Sequence, residues 1–235
     1  MDMEIGAFIP VKKRSTRIPN KNFREFNGYP LYEHFFRKLH PTNPFDEVYV
    51  NTDSEEVKKT ARSYGFSVIE RPPRLSEDDA NGNDLLLYDA EQADLDIYFQ
   101  LFVTAPLLKQ KTIHEAYSRM VSNNDADSLL TVQKHNSFFW DGDSPINYDP
   151  TELPRTQDLN PLIEETTGLY AIERDSLIER ECRIGYDPEF VEVSQVEAID
   201  IDEMTDLELA RMIDSRTNNK DNSDKTDYDL LDRGY

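Results

Sequence analysis

Short apolar runs alternate with helical patterns along this chain, and that rhythm restricts its fold more than any other feature. Ile5-Gly-Ala-Phe-Ile9-Pro10 reads as a buried first strand, because an uninterrupted apolar run suits a strand covered on both faces. A helical spacing follows from Leu31 to Leu39, with Leu31, Phe35, Phe36 and Leu39 recurring on one side. Val48 to Val50 predicts a second strand. Asn51-Thr-Asp53-Ser54 then supplies a cap for a helix over residues 55–64, which Gly65 ends. A third strand over 66–69, a helix over 84–93 and a fourth strand over 96–103 follow, the last stopped by Thr104-Ala-Pro106. A helix over 110–122 and a strand over 128–132 continue the pattern. Such alternation predicts a three-layer α/β/α domain around a mainly parallel sheet.

Residues 135–161 break the rhythm with four prolines and a cluster of Phe138, Phe139, Trp140 and Tyr148. They predict a small excursion from the sheet, either a lid or a subunit contact. Beyond it come a strand over 167–172, a short helix near 175–181, a strand over 190–193, and Ala198-Ile-Asp200-Ile-Asp202 leading into a helix over 204–214. A single domain over residues 1–216 is expected, with a polar, disordered tail over 217–235.

A chain of 235 residues can bury a core without staples, and the lone Cys182 excludes an internal disulfide framework. No run approaches the roughly 18 apolar residues of a membrane span, and Met1 to Gly6 does not read as a signal peptide, so a cytoplasmic protein is expected. The net charge of −21 argues against nucleic acid or an anionic membrane as partner. It also suits a surface kept solvated at high salt.

One stretch departs from this acidity. Between Ile5 and Arg24 stand Lys12, Lys13, Arg14, Arg17, Lys21 and Arg24, with no Asp or Glu. A solvated basic loop is the plain reading of any charge run. This one leaves the carboxyl end of the first strand, where open α/β sheets hold their ligands, and packed cations repel unless an anion neutralises them. Neither G-x-x-x-x-G-K-[ST] nor G-x-G-x-x-G occurs, so side-chain cations rather than a glycine-rich loop must meet the phosphates.

A second constellation is Asp200-Ile-Asp202. Carboxylates at i and i+2 on an extended segment point the same way and can share a hard cation. The spacing is weak on its own, since Asp94/Asp96, Asp125/Asp127, Asp141/Asp143 and Asp227/Asp229 repeat it; its place before a helix distinguishes it. G-x-S-x-G and H-E-x-x-H are absent, and His34 and His135 read as structural.

The motifs resemble those of a known family. Ile9-Pro-Val-Lys-Lys-Arg-Ser-Thr-Arg-Ile-Pro-Asn-Lys-Asn22 followed by Asn27-Gly-Tyr-Pro-Leu31 resembles the IPARxGSKxxPxKN…GxPL signature of CMP-sialic acid synthetases (acylneuraminate cytidylyltransferases). Ser15-Thr-Arg17 is also similar to the Kdo cytidylyltransferase branch. The likeness continues through Asn51-Thr-Asp53, Arg71-Pro72 with residues 75–80, residues 101–107 (similar to LQPTSPL), Pro154-Arg-Thr-Gln157, Glu165 to Tyr170 and Ala198 to Asp202. It covers residues 5–213 in order.

The resemblance implies a nucleotide-diphospho-sugar transferase-like α/β fold, usually homodimeric through the 135–161 region. It implies transfer of CMP from CTP to the anomeric 2-hydroxyl of a sialic-acid-like sugar acid, with release of pyrophosphate and with Mg²⁺, or Mn²⁺ in its place. Lys12 then stands where the family has a phosphate-binding arginine, Lys21 falls on the triphosphate, and Arg17 is a cation moved one place. Arg71, Ala80 and Gly82 lie where the cytosine is held, and Gly168 and Tyr170 in the sugar-binding strand. Arg14, Ser15, Asn22, Thr104, Arg155 and Gln157 fall at further substrate-binding positions, and Asp200 and Asp202 match the metal carboxylates. Phe102 replaces the glutamine expected against the sugar, and Gly82 a frequent serine. N-acetylneuraminate, legionaminate and pseudaminate are equally compatible acceptors. A Kdo cytidylyltransferase and a nucleotide-sugar-binding relative without turnover are the alternatives.

Overall fold

The computed structural model describes residues 3–40, 42–122 and 125–220. Its centre is a seven-stranded sheet of β1 (Ile5–Val11), β2 (Glu47–Thr52), β3 (Ser67–Glu70), β4 (Ile97–Leu101), β5 (Ser128–His135), β6 (Leu162–Glu173) and β7 (Pro188–Glu192). The spatial order is β7-β5-β6-β4-β1-β2-β3. β1 pairs parallel with β2 and β4, β2 with β3, and β5 with β7, whereas β6 runs antiparallel to both β4 and β5. The mainly parallel sheet expected from the alternation is therefore present, with one reversed strand.

All seven residues of β1 are buried, and their alternation divides the core. Ile5, Ala7, Ile9 and Val11 face the helices α1 (Leu31–Leu39), α2 (Glu55–Ser63) and α4 (Gln110–Ser122), represented in that layer by Phe36, Ala61 and Ala116. Phe8 faces the opposite layer, formed by α3 (Gly82–Gln92) and α5 (Arg174–Arg180) through Leu86 and Leu177. This is the period-2 geometry of a strand covered on both sides. A last helix, α6 (Met204–Lys220), packs Leu207 and Ala210 against Ile18, Phe26 and Leu31. Its first turn is capped by Asp206, whose carboxylate accepts from the backbone N–H groups of Asp202 (3.0 Å) and Glu203 (2.7 Å). α6 runs past the expected end at residue 214 and carries residues 217–220, the start of the segment expected to be disordered, in helical form. The remainder of that tail, 221–235, lies outside the described residues.

Two devices fix the ends of the elements that frame the site. Ser54 accepts from the Val57 N–H at the start of α2, and Asn81 and Asp84 form a reciprocal capping box at the start of α3. The turn after β4 is tied to α1 by Lys38, whose ammonium donates to the carbonyls of Pro106 and Leu108 (3.0 Å to the latter). Burial pulls this lysine down to about 8.

The excursion is the outer part of a long arm. β6 begins at Leu162, opposite His135 of β5, five residues before the start expected from sequence, because the arm's two limbs pair with each other. The ladder shifts register between Glu165 and Tyr170, where the arm joins the sheet. Beyond the pairing lie a two-residue hairpin at Trp140–Asp141 and Ser144–Pro145 and a turn at Thr156–Asp158. Phe138, Trp140, Ile146, Leu153 and Ile163 on this arm are exposed.

Phe36 is fully buried among the rings of Tyr32, Tyr64 and Phe66, each within 6.2 Å of it. Phe36→Ala should cost about 3–5 kcal/mol, and Ser54→Ala about 1 kcal/mol, in urea unfolding. A loss under about 1 kcal/mol for Phe36→Ala would show that this layer can collapse onto the space, contrary to the packing described.

Candidate active site

A cleft of about 500 Å³ opens where β1 and β4 end. It follows from the way β1 stops: Val11 is fully buried, and the next residue, Lys12, is the first of the six cations. The basic loop turns over the cleft rather than into solvent. Lys12, Arg14, Ser15, Arg17, Lys21 and Asn22 all line it, and none of its lining residues is a histidine or cysteine. The loop's path is held by its own backbone. The Lys13 N–H donates to Asp53 Oδ1 (2.7 Å), the Asn22 amide donates to the Lys12 carbonyl (2.8 Å), and Asn20 takes a left-handed conformation (φ 57°) before the turn at Lys21. Asn22 Oδ1 is buried and has no partner among the described residues.

The cations are matched by carboxylates. Lys12 pairs with Asp78 Oδ1 (2.8 Å), and Thr16 donates to the other oxygen (2.9 Å). These bonds, Lys12 first, hold the Asp78 carboxyl below its ordinary range. Lys21 donates to the Ile201 carbonyl (2.6 Å) and reaches Asp202 Oδ1 at 3.4 Å, while Arg17 pairs with Asp202 Oδ2 at 2.7 Å. Between Asp200 and Asp202, Ile201 is fully buried and its N–H donates to the Thr104 carbonyl (2.8 Å), which anchors the segment beside the cleft-lining Thr104. Asp200 Oδ1 is buried without a partner among the described residues.

The floor on the β2 side is a buried polar relay. Arg71 Nε donates to Asn51 Oδ1 (2.7 Å) and its Nη2 to the Asn51 carbonyl (3.0 Å), while the Asn51 amide donates to Asp89 Oδ1 (2.5 Å). Asn51 and Asp89 are fully buried, and Arg71 is 5% exposed. Because Asp89 takes the amide NH₂, Asn51 must turn its oxygen toward Arg71. Burial pushes the Asp89 carboxyl up to about 7, against the opposing pull of Asn51 and Arg71. Burial likewise lowers Arg71.

The residues expected from sequence are placed unequally. Lys12, Arg14, Ser15, Arg17, Lys21, Asn22, Arg71, Ala80 and Thr104 line one cleft, and the carboxylate of Asp202 joins them through Arg17 and Lys21. Gly82 lies two residues beyond Ala80, its carbonyl accepting from Gln100 (2.9 Å). Gly168 is a backing position, its carbonyl accepting from the Phe102 N–H. Tyr170 is fully buried, with its hydroxyl on Glu165 (2.5 Å). Arg155 and Gln157 sit on the exposed arm, Arg155 paired with Asp158 (2.7 Å), and neither lines the cleft. Asp78, the Asn51–Asp89 pair and Arg183 were not singled out from sequence. With about a fifth of the chain acidic, no spacing marks Asp78 as the partner of Lys12.

No helix among the described residues is long and apolar enough to cross a membrane, and no group of three or more metal-binding side chains is found among them.

Raising a buried carboxyl has a signed consequence. Between about pH 4 and 7 the unfolded chain releases the Asp89 proton while the folded chain keeps it, so this group lowers stability as pH rises. Asp89→Asn should therefore gain on the wild type between pH 5 and pH 8, by about tenfold or more in the unfolding constant. Urea unfolding at both pH values tests this, and a difference that does not change with pH would contradict it.

Known proteins resemble this chain over most of its length. A family model described as Cytidylyltransferase matches residues 7–225. N-acylneuraminate cytidylyltransferase A of Danio rerio is 29% identical over 215 residues, which are 88% of this chain and 50% of that protein. The pseudaminic acid cytidylyltransferase of Campylobacter jejuni subsp. jejuni serotype O:23/36 is 25% identical over 219 residues, 88% of this chain and 94% of that one. The chain thus spans about half the length of the first N-acylneuraminate cytidylyltransferases it matches. Among solved structures, a CMP:2-keto-3-deoxy-manno-octonic acid synthetase complexed with CTP superposes with a TM-score of 0.67 at 18% identity, over 91% of this chain and 99% of that one. That likeness establishes the nucleotidyltransferase-like α/β fold. With its family model matched over most of its length, this chain belongs to the cytidylyltransferase family, the one its CMP-sialic acid synthetase motifs resemble.

Proposed function

We propose that the protein transfers CMP from CTP to the anomeric 2-hydroxyl of a sialic-acid-like 2-keto sugar acid and releases pyrophosphate. The observation that carries this reading is the cationic loop over a cleft, whose Lys12, Arg17 and Lys21 are paired with Asp78 and Asp202. A triphosphate would take over Lys12, Lys21 and Arg17 from these carboxylates. Charge moving onto the pyrophosphate would then be met by cations already in place. Arg71, held at the floor by Asn51, faces the base-binding side. The lining offers no histidine as general base, so catalysis rests on positioning and electrostatics.

Asp200 and Asp202 would hold Mg²⁺, or Mn²⁺ in its place, together with phosphate oxygens. The unpartnered Asp200 Oδ1 and the two-carboxylate donor set suit an ion that takes most of its ligands from phosphate and water. Such an ion would supply charge neutralisation on the triphosphate. The exposed Phe138, Trp140, Ile146 and Leu153 of the arm support a homodimer formed through it, which would place Arg155 and Gln157 at a contact between copies. The setting is cytoplasmic, where CTP is available. The Ser15-Thr-Arg17 variant of the loop keeps Kdo among the acceptors to be tried.

Pyrophosphate release from CTP with N-acetylneuraminate, legionaminate, pseudaminate and Kdo tests the reading. Release with at least one nonulosonate is expected. CTP binding without release in any case would leave a nucleotide-sugar-binding protein instead, and release with Kdo alone would move the acceptor to that acid. Asp202→Asn should lower turnover on the order of 10²-fold or more with its thermal unfolding little changed. Near-normal rates in saturating Mg²⁺ would remove the metal assignment. Lys21→Ala should weaken CTP binding about tenfold at low ionic strength, with the gap narrowing as salt is added. A change confined to the KM of the sugar acid would take Lys21 off the triphosphate.

A further inference from the structure

Beyond the cleft's β4 edge, the loop of residues 181–187 between α5 and β7 is pinned on two sides. Asp127 accepts from the N–H groups of Tyr186 (2.7 Å) and Asp187 (3.0 Å), and the Gly185 N–H donates to Ser128 Oγ (2.8 Å). A Cβ at Gly185 would overlap the Asp127 carboxylate, so the close approach requires glycine. On the other side, the Arg183 N–H donates to Asn83 Oδ1 (3.0 Å), at the start of α3. The loop therefore delivers one side chain to a defined place. The Arg183 guanidinium lies 3.6 Å from the ring centroid of Tyr170 and 5.6 Å from that of Phe102, and Phe102 lines the cleft.

Around this guanidinium the two departures from the family motif acquire a common cause. Gln100, on the same side of the chain as Phe102, donates to the Gly82 carbonyl and offers Oε1 to Arg183 Nη1 at 3.4 Å. A side chain at position 82 would overlap Arg183 Nη1. Glycine at 82 thus leaves room for the Arg183 guanidinium, which Gln100 and the Phe102 ring also meet. The guanidinium has only long contacts with its polar neighbours. Its bond to Glu165 Oε1 is also 3.4 Å, and that oxygen already accepts from the Tyr170 hydroxyl. A side chain only 19% exposed, lying over the Tyr170 ring and loosely paired, has N–H groups to give to an incoming anion.

We propose that Arg183 is a specificity-determining residue of the acceptor side of the cleft and that it takes the carboxylate of the sugar acid. The assignment rests on the cytidylyltransferase reading. The triphosphate is served by the loop after β1, whereas Arg183 stands over Tyr170, opposite Gln100 in the β4–β6 ladder. A planar fork held by stacking matches a carboxylate with two parallel bonds and selects against a neutral acceptor.

The test measures binding by calorimetry and steady-state rates for wild type, Arg183→Ala, Arg183→Lys and Gly82→Ala. The probes are CTP, N-acetylneuraminate, pseudaminate and Kdo, together with the carboxamide of whichever acid binds most tightly. Arg183→Ala should weaken the acid by about 10- to 100-fold and leave CTP within about twofold, and the preference for acid over carboxamide should vanish. Arg183→Lys should recover part of the affinity. Gly82→Ala, which must push the guanidinium aside, should show the same loss in weaker form even if Arg183→Ala does not fold. Unchanged acid affinity in Arg183→Ala, or an equal loss for CTP, would overturn the assignment. If the wild type binds an acid but releases no pyrophosphate, a loss in Arg183→Ala supports Arg183 while the enzymatic reading fails. Active wild type with an unaffected variant gives the reverse result, and a wild type that binds none of the acids overturns both.

Discussion

Within one step of the chain, the environment changes from Val11, fully buried at the end of a strand covered on both faces, to Lys12 at the edge of a cleft. That transition organises the molecule. The buried strand must lie at the middle of the sheet, so the loop leaving it must fall at the centre of the carboxyl-end surface. Five more cations follow within that loop, and they cannot gather there unless anions meet them. Asp78 arrives from the segment between β3 and α3, and Asp202 from the segment before α6. The cleft is therefore built by charge matching between segments far apart in sequence.

The cleft has two sides with different construction. On the β2 side, Arg71 is fixed through Asn51 to a carboxyl that burial keeps partly protonated near neutral pH. Polar groups there are nearly sealed from water, so their orientation is imposed by satisfied hydrogen bonds. On the β4 side, aromatic rings carry the structure. Tyr170, Phe102 and the stacked Arg183 form a wall in which long polar contacts are left at 3.4 Å. A rigid side suits recognition of one constant ligand.

Much of the architecture was legible because burial imposes periodicity. The helices over 31–39 and 110–122 lie where their apolar spacing puts them, since helical repeats are local properties of the chain. The strands of the first half are placed within about two residues for the same reason. β6 was legible only in its second half, over residues 167–172, where both neighbours are core strands. Its first residues, Leu162 to Glu165, are mostly exposed, and they are extended because β5 pairs with them across the arm. Nothing local in that stretch announces the pairing. The same holds for the far end of α6, whose polar residues continue the helix already started by packing against Phe26 and Leu31.

The sequence by itself determined that the chain is a layered α/β domain with a buried first strand and a basic loop leaving it, and the order of its motifs made it resemble a family in which such a loop and an Asp-x-Asp segment serve one site. Each of these is carried by residues near one another along the chain, or by motifs kept in order. Only the tertiary structure decided which anion meets which cation, that Asn51 relays Asp89 to Arg71, that Arg155 and Gln157 lie on an exposed arm, and that Arg183 stands over Tyr170. Those partners are separated by up to about 180 residues. Their meeting depends on the order of strands in the sheet and on the hydrogen bonds that pin each loop, and charge or spacing along one segment carries neither.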